Sequence, residues 1–188
     1  KCPMNEEFKK AVLFLNKGNT LLYPTDTVWG IGCDATNKVV VEKVFEIKKR
    51  PSSKSLILLV DSIEMLQDYV EISNEIHDFL ANSTRPTTVI YTQPKGIAKN
   101  CIADDNTVAI RIVKDEFCQE LIRRFGKPLV STSANISGEP TPQSFQEIDK
   151  AILESVDYVV NLPNHSGSQL PSKIVKVLPS GEIEVLRA

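Results

Sequence analysis

A chain of 188 residues is the size of one ordinary globular domain, and 41% hydrophobic residues are enough to bury a proper core. Its 22 basic and 24 acidic side chains leave a net charge of −2, which excludes a global cationic field for nucleic acid, so any RNA contact must be a local patch. The four cysteines, Cys2, Cys33, Cys101 and Cys118, lie far apart without a C-x-x-C pair or a nearby His. That pattern argues against zinc and for reduced, mostly buried thiols. No apolar run reaches the length of a membrane span and residues 1–7 build no signal peptide, which reads as a soluble, cytoplasmic protein.

Asn5 to Lys17 set Phe8, Ala11, Val12 and Leu15 on one helical stripe, and Gly18 follows where a left-handed cap would end it. Two β-like stretches come next, Thr20 to Tyr23 and Val28 to Cys33, separated by Pro24-Thr25-Asp26-Thr27, which a regular central strand would not accommodate. Asn37 is placed to cap a helix to about Lys48, with Val41, Val44 and Phe45 inward and Pro51 as its stop. Leu56 to Val60 is a short continuous apolar run, the mark of a buried strand, and Asp61 with Glu64 predicts a capping box for the helix after it. Further strands are predicted at Thr88 to Thr92, Val108 to Ile112 and Leu129 to Thr132. Between the last two lies a helix from Glu116 to Phe125, capped by Asp115 and ended by Gly126. Ser144 and Glu147 predict a second capping box and a helix to about Leu153, and Asp157 to Val160 returns as strand. Lys173 to Leu178 and Ile183 to Leu186 read as a C-terminal hairpin. With no repeat and no long linker, residues 1–188 are expected to form one α/β domain around a twisted, open, mixed sheet with flanking helices.

Lys48, Lys49, Arg50 and Lys54 fall within seven residues with no acid among them. Such a run is either a helix C-terminus pointing into water or, since Lys gives point charge and Arg a forked donor set, a polyphosphate site. Ser131-Thr132-Ser133-Ala134-Asn135 follows an apolar strand, where hydroxyl and amide groups serve either a ligand or the local turn. The Pro24 to Thr27 interruption is open to the same two readings. Arg111 ends the strand Val108-Ala109-Ile110, where a charge needs an ionic partner or a water-filled cleft. Gly30-Ile31-Gly32-Cys33-Asp34-Ala35 matches a loose dinucleotide pattern but lies within a strand, and no Walker loop occurs. His77 and His165 have no triad partners. Catalysis here would rest on positioning and charge stabilisation.

These segments together resemble the YrdC-like family over almost the whole chain. They are residues 24–35, Lys48-Lys49-Arg50-Pro51 with Lys54, Thr107 to Arg111, Pro128 to Gly138, Pro171-Ser172-Lys173-Ile174-Val175, and Leu186-Arg187. The resemblance implies an α/β domain with a concave cleft that joins L-threonine, bicarbonate or CO2 and ATP into threonylcarbamoyl-adenylate, releasing pyrophosphate. It assigns Lys48, Arg50, Lys54, Ser133, Asn135, Thr141 and Arg187 to ATP, and Thr27, Thr107, Arg111, Ser131 and Ser172 to threonine. It brings Mg2+ with the ATP, and tRNA as the eventual acceptor through separate transfer proteins, with weak direct RNA binding also open. Arg50 and Arg111 are expected in a solvated cleft, so that Ala at either removes activity without unfolding the chain. The sequence departs from the family pattern at Trp29, usually Tyr, and at Lys49, often Gly. It departs again at Ser83 to Thr88, in place of W-P-G-x-L-T, and at Lys173, usually Thr. Two rival readings are a paralogue with another substrate and an RNA-binding module built on Lys48 to Lys54 and Arg123-Arg124-Phe125-Gly126-Lys127.

Overall fold

The computed structural model describes residues 3–50, 56–162 and 171–188. Alternation along the strands decides the layering. On one sheet face Leu22, Leu58, Val60, Val108, Ile110 and Val130 pack against Val40, Val41, Val44, Phe45, Leu66, Ile76 and Ile152. On the other, Leu21, Tyr23, Leu59 and Leu129 pack against Phe8, Ala11, Leu15, Phe117, Leu121, Ile122 and Phe125. Neighbours in sequence thus point to opposite faces, and each face packs under helical stripes, although those on the second do not reach across the whole sheet.

The first face carries α2 (Lys38–Lys48), α3 (Ile63–Gln67), α4 (Asn74–Asn82) and α6 (Lys150–Ser155), and the second carries α1 (Pro3–Asn16) and α5 (Glu116–Phe125). Among the described residues the strands are β1 (Leu21–Tyr23), β2 (Gly30–Gly32), β3 (Ile57–Val60), β4 (Thr87–Thr92), β5 (Thr107–Ile112), β6 (Leu129–Ser133), β7 (Tyr158–Val159), β8 (Lys173–Val177) and β9 (Ile183–Arg187). Their order is β7-β1-β2-β6-β3-β5-β4-β8-β9, with β7–β1, β3–β5 and β4–β8 parallel and the other pairs antiparallel. The first and last strands do not pair, so the sheet is mixed and open, as expected from the sequence.

Most predicted elements are present, and the differences have local causes. Asp115 caps α5 through Cys118 N, and Gly126 ends it at φ +85. The cap of α3 is Ser62, whose Oγ accepts from Met65 N at 3.1 Å, while Asp61 accepts the Ser62 hydroxyl at 2.7 Å. A one-sided Ser62 cap, whose N3 residue Met65 cannot reach back, therefore stands in place of the predicted box. Ser144 makes no cap bond and opens only a 3-10 turn, Phe145–Glu147; Asp149 caps α6 through Ala151 N. Glu147 reaches back to Gln143 N at 3.0 Å, which ties down the segment that carries Thr141. Pro51, the predicted stop of α2, lies outside the described residues; the helix ends at Lys49, left-handed at φ +53.

Gly30 and Gly32 owe their place to close approach. A Cβ on Gly32 would lie 2.3 Å from Val130 O and 2.4 Å from the Tyr23 ring, and one on Gly30 would lie 3.0 Å from Ser131 Oγ. Glycine at both lets β2 sit flat against β6 and leaves room for a hydroxyl on the cleft side.

Candidate functional site

The α1/α5 layer leaves part of its own sheet face uncovered. Arg111 pairs in register with Leu59, which faces α1 and α5, so Arg111 points to that same face. One row across the sheet therefore reads Leu129, Leu59, Arg111, Thr88, Ile174 and Arg187, and the next reads Ser131, Ile57, Ala109 and Ile90. Past the helices these rows floor a cleft of about 420 Å3.

Eight sequence-predicted residues line that one cleft: Thr27, Arg50, Arg111, Ser131, Ser133, Thr141, Ser172 and Arg187. They come from the loop after β1, the end of α2, strands β5, β6 and β9, the loop after β6, and the entry to β8. Lys48 and Asn135 stand directly behind Ser133. Lys48 Nζ, 2% exposed as a residue, donates to Ser133 O at 2.7 Å, Asn135 Oδ1 at 2.8 Å and Asn135 O at 2.9 Å. Asn135 also takes the Ser133 hydroxyl at 2.6 Å and donates to Glu139 O at 2.5 Å. These two residues hold the β6 exit loop in shape. Thr107 does not join the cleft: it lies four residues down β5 from Arg111, about 13 Å at ~3.3 Å per residue. Its hydroxyl donates to Asp105, and it faces another cavity beside Tyr91. Lys54 lies outside the described residues.

The hydroxyls have fixed polarity. Thr25 Oγ1 gives its one proton to Val28 O at 2.7 Å and accepts from Thr27 N at 3.0 Å. In the 3.1 Å contact between the two hydroxyls, Thr27 is then the donor. Thr27 Oγ1 also accepts from Arg111 Nη2 at 3.3 Å. What Thr27 has left for a ligand is a lone pair, suited to an N–H or O–H donor. At the far edge, Arg187 Nε donates to Ser172 O at 2.9 Å, and Ser172 Oγ lies 2.7 Å from Thr88 Oγ1.

Arg111 is not in open solvent as the sequence suggested; it is 3% exposed and ion-paired to Asp26 at 3.1 Å. Beneath the loop that carries Asp26, the Cys118 thiol donates to Pro24 O, and burial pushes it well above the usual range, so it is inert. The remaining electrostatics favour an anion. The lining contains three guanidiniums, Arg50, Arg111 and Arg187, and no carboxylate among the described residues. Burial lowers Arg50, and burial with the neighbouring charges of Arg111 and Arg85 lowers Arg187. Lys48 falls to about 8 through burial and the charge of Arg50. Cations that disfavour one another's charge at a single opening are relieved by a bound polyanion.

Sequence reasoning passed over Gln143, whose amide donates to Thr141 O, and the apolar floor of Ile57, Ala109, Ile90 and Ile174. Strand parity counted from Arg111 would have found Ala109. The assembly of the floor from three other strands needed the sheet order. The second basic run is largely neutralised: Arg123 and Arg124 both pair with Glu120, Arg124 lies over the Phe8 ring, and Lys127 pairs with Asp34. Trp29, a departure from the family pattern, is buried against Phe145 with ring centroids 5.0 Å apart and so braces the 141–147 segment from behind. Among the described residues no helix is long and apolar enough to cross a membrane.

The Sua5/YciO/YrdC family profile, described as "Telomere recombination", matches residues 13–188. A threonylcarbamoyl-AMP synthase of Pseudoalteromonas translucida is 37% identical over 87% of this chain and 89% of its own length. One of Xanthomonas euvesicatoria pv. vesicatoria is 33% identical over 94% and 96%. Among solved structures, P. abyssi Sua5 complexed with L-threonine superposes at a TM-score of 0.85 with 25% identity. The match covers all of this chain and 55% of that one, so the chain spans about half the length of Sua5. E. coli YciO superposes at 0.81 with 23% identity, over 100% of this chain and 90% of that one, a likeness of fold. With the profile running to the last residue and two relatives above 30% identity along most of their length, this chain belongs to the Sua5/YciO/YrdC family.

Proposed function

We propose that this chain is a nucleotidyltransferase that makes L-threonylcarbamoyladenylate from L-threonine, bicarbonate or CO2, and ATP, releasing pyrophosphate. The observation that carries the reading is one cleft lined by three guanidiniums and six hydroxyl residues without a lining carboxylate among the described residues. The names of full-length relatives support it. Both reactants and the leaving group are anionic, which is what such a lining stabilises.

In this reading Arg111 receives the threonine carboxylate, and the Thr27 lone pair accepts a hydrogen bond from the amino acid. Ser131 and Ser172 complete the threonine side, and Arg187, held on Ser172 O, would meet the nucleotide. The threonine amine takes up CO2 as a carbamate, whose oxygen attacks the α-phosphorus while the bond to pyrophosphate breaks. Arg50, Ser133 and Thr141 would meet the phosphates, Lys54 is assigned to them by the family resemblance alone, and Lys48 and Asn135 hold Ser133 in place. Thr107, on another cavity, is left out of this set. The described lining offers phosphate-binding cations but no carboxylate, so Mg2+ would arrive on ATP, held by phosphate oxygens and water. The product would pass to tRNA through separate transfer proteins in the cytoplasm.

Purified protein should release pyrophosphate from ATP only when L-threonine and bicarbonate are both present, and more slowly with L-serine. ATP binding without release under any of these conditions would favour a paralogue with another acceptor.

A further inference from the structure

Asp26 is an acid that does not line the cleft yet controls a residue that does. Its Oδ1 lies 3.1 Å from Arg111 Nη2, and the two side chains are 7% and 4% exposed. Its other oxygen, Oδ2, accepts from Lys114 N at 3.1 Å, just beyond the end of β5, the strand that carries Arg111. One carboxylate therefore ties the loop after β1 to β5, across the intervening strands β2, β6 and β3. The next residue in that loop, Thr27, accepts from the same Nη2 at 3.3 Å. Arg111 Nε is buried without a hydrogen-bond partner among the described residues.

Asp26 pairs with this guanidinium, and Arg187, of the same sign, is near enough to feel its charge. Without Asp26 a buried guanidinium would keep one neutral hydroxyl contact and face a like charge. Such a group leaves for water, and the open cleft is its way out. With Asp26 in place, its charge and the Thr27 hydroxyl together hold Nη2, and the remaining N–H groups are left for a ligand carboxylate.

We propose that Asp26 is the positioning residue of the amino-acid half of the cleft, setting where Arg111 presents itself to the substrate carboxylate. This rests on the synthase reading in assigning the carboxylate to threonine. The test compares L-threonine with L-threoninamide, which lacks the carboxylate charge, by calorimetric titration of wild type, Asp26→Asn and Asp26→Glu, each first shown folded by thermal melting. Wild type should favour threonine over its amide; loss of that preference in wild type would remove the synthase assignment of Arg111 itself. Asn retains an acceptor for Lys114 N but not the charge. It should reduce the threonine-to-threoninamide preference by at least about tenfold with ATP affinity unchanged, and Glu should recover part of the preference. A purely architectural role for Asp26 would weaken both ligands and ATP together, leaving the preference intact. An Asp26 that merely screens Arg111 would make the Asn variant prefer threonine more. Either of those results overturns the proposal.

Discussion

Replacing Gly32 by Ala tests whether glycine on β2 is there for contact with β6. The added Cβ would stand 2.3 Å from a backbone carbonyl, Val130 O, and 2.4 Å from a Tyr23 ring carbon. Ordinary carbon contacts lie near 3.5 to 4.0 Å, so β2 and β6 would have to part by about 1 Å. Neither neighbour yields easily: Tyr23 is fully buried with its hydroxyl on Val130 O at 2.8 Å, and Val130 N donates to Cys33 O at 2.8 Å. Overpacking of this kind costs about 3 kcal/mol, which for a chain of this size lowers Tm by roughly 6–12 °C. Gly30→Ala is the contrast, because its nearest neighbour is a rotatable hydroxyl, Ser131 Oγ, at 3.0 Å. It should melt within about 2 °C of wild type yet raise the KM for threonine, since Ser131 faces the cleft. Differential scanning calorimetry with the pyrophosphate-release assay reads both. A Gly32→Ala protein with wild-type Tm, or a Gly30→Ala protein that loses stability and keeps its KM, would refute the close-approach argument.

Lys49→Gly should stabilise the chain by about 0.5–1 kcal/mol, because Lys49 is left-handed at φ +53 and a side chain there costs roughly 1–2 kcal/mol, partly offset by glycine entropy; chemical denaturation measures it. Arg50→Ala should lose activity by more than about a hundredfold and keep its stability within about 1 kcal/mol. Arg111→Ala should lose activity and also about 3–5 kcal/mol, because it strands the buried Asp26 carboxylate; equal urea midpoints for the two variants would contradict the buried pair. Lys48, lowered to about 8, should give an alkaline limb near that pH in kcat/KM, absent in Lys48→Met. The stability sign is the opposite one. Between pH 8 and its ordinary pKa the unfolded chain binds more protons at this group than the folded chain, so its contribution to stability rises with pH there. A falling activity with a rising melting contribution separates the two effects.

Local rules made much of the chain legible. The stripe of Val41, Val44 and Phe45 after Asn37, and the bracket of Asp115 and Gly126 around α5, are properties of three or four adjacent residues, and they hold in the structure. The Lys48 to Arg50 run and the Ser131 to Asn135 segment stood out because charge and hydroxyl groups interrupt apolar pattern, and both meet at the cleft. The family resemblance placed eight of its twelve proposed site residues around one cavity. Sequence failed where two caps competed within one or two residues, as at Asp61 and Ser62, since either side chain satisfies the same local rule and packing chooses between them.

What the sequence by itself determined was most of the elements and the residue types available for anion chemistry, both of which depend on near neighbours; α4 and the true start of α6 were not among them. Only the tertiary structure decided that β5 lies beside β3 and β4, and that the loop after β1 reaches Arg111. Those facts turn Asp26 from a turn residue into a counter-ion, take Lys48 out of solvent and send Thr107 to a different cavity. The reason is physical: burial and charge pairing depend on which distant segments share a face, and that is fixed by strand order.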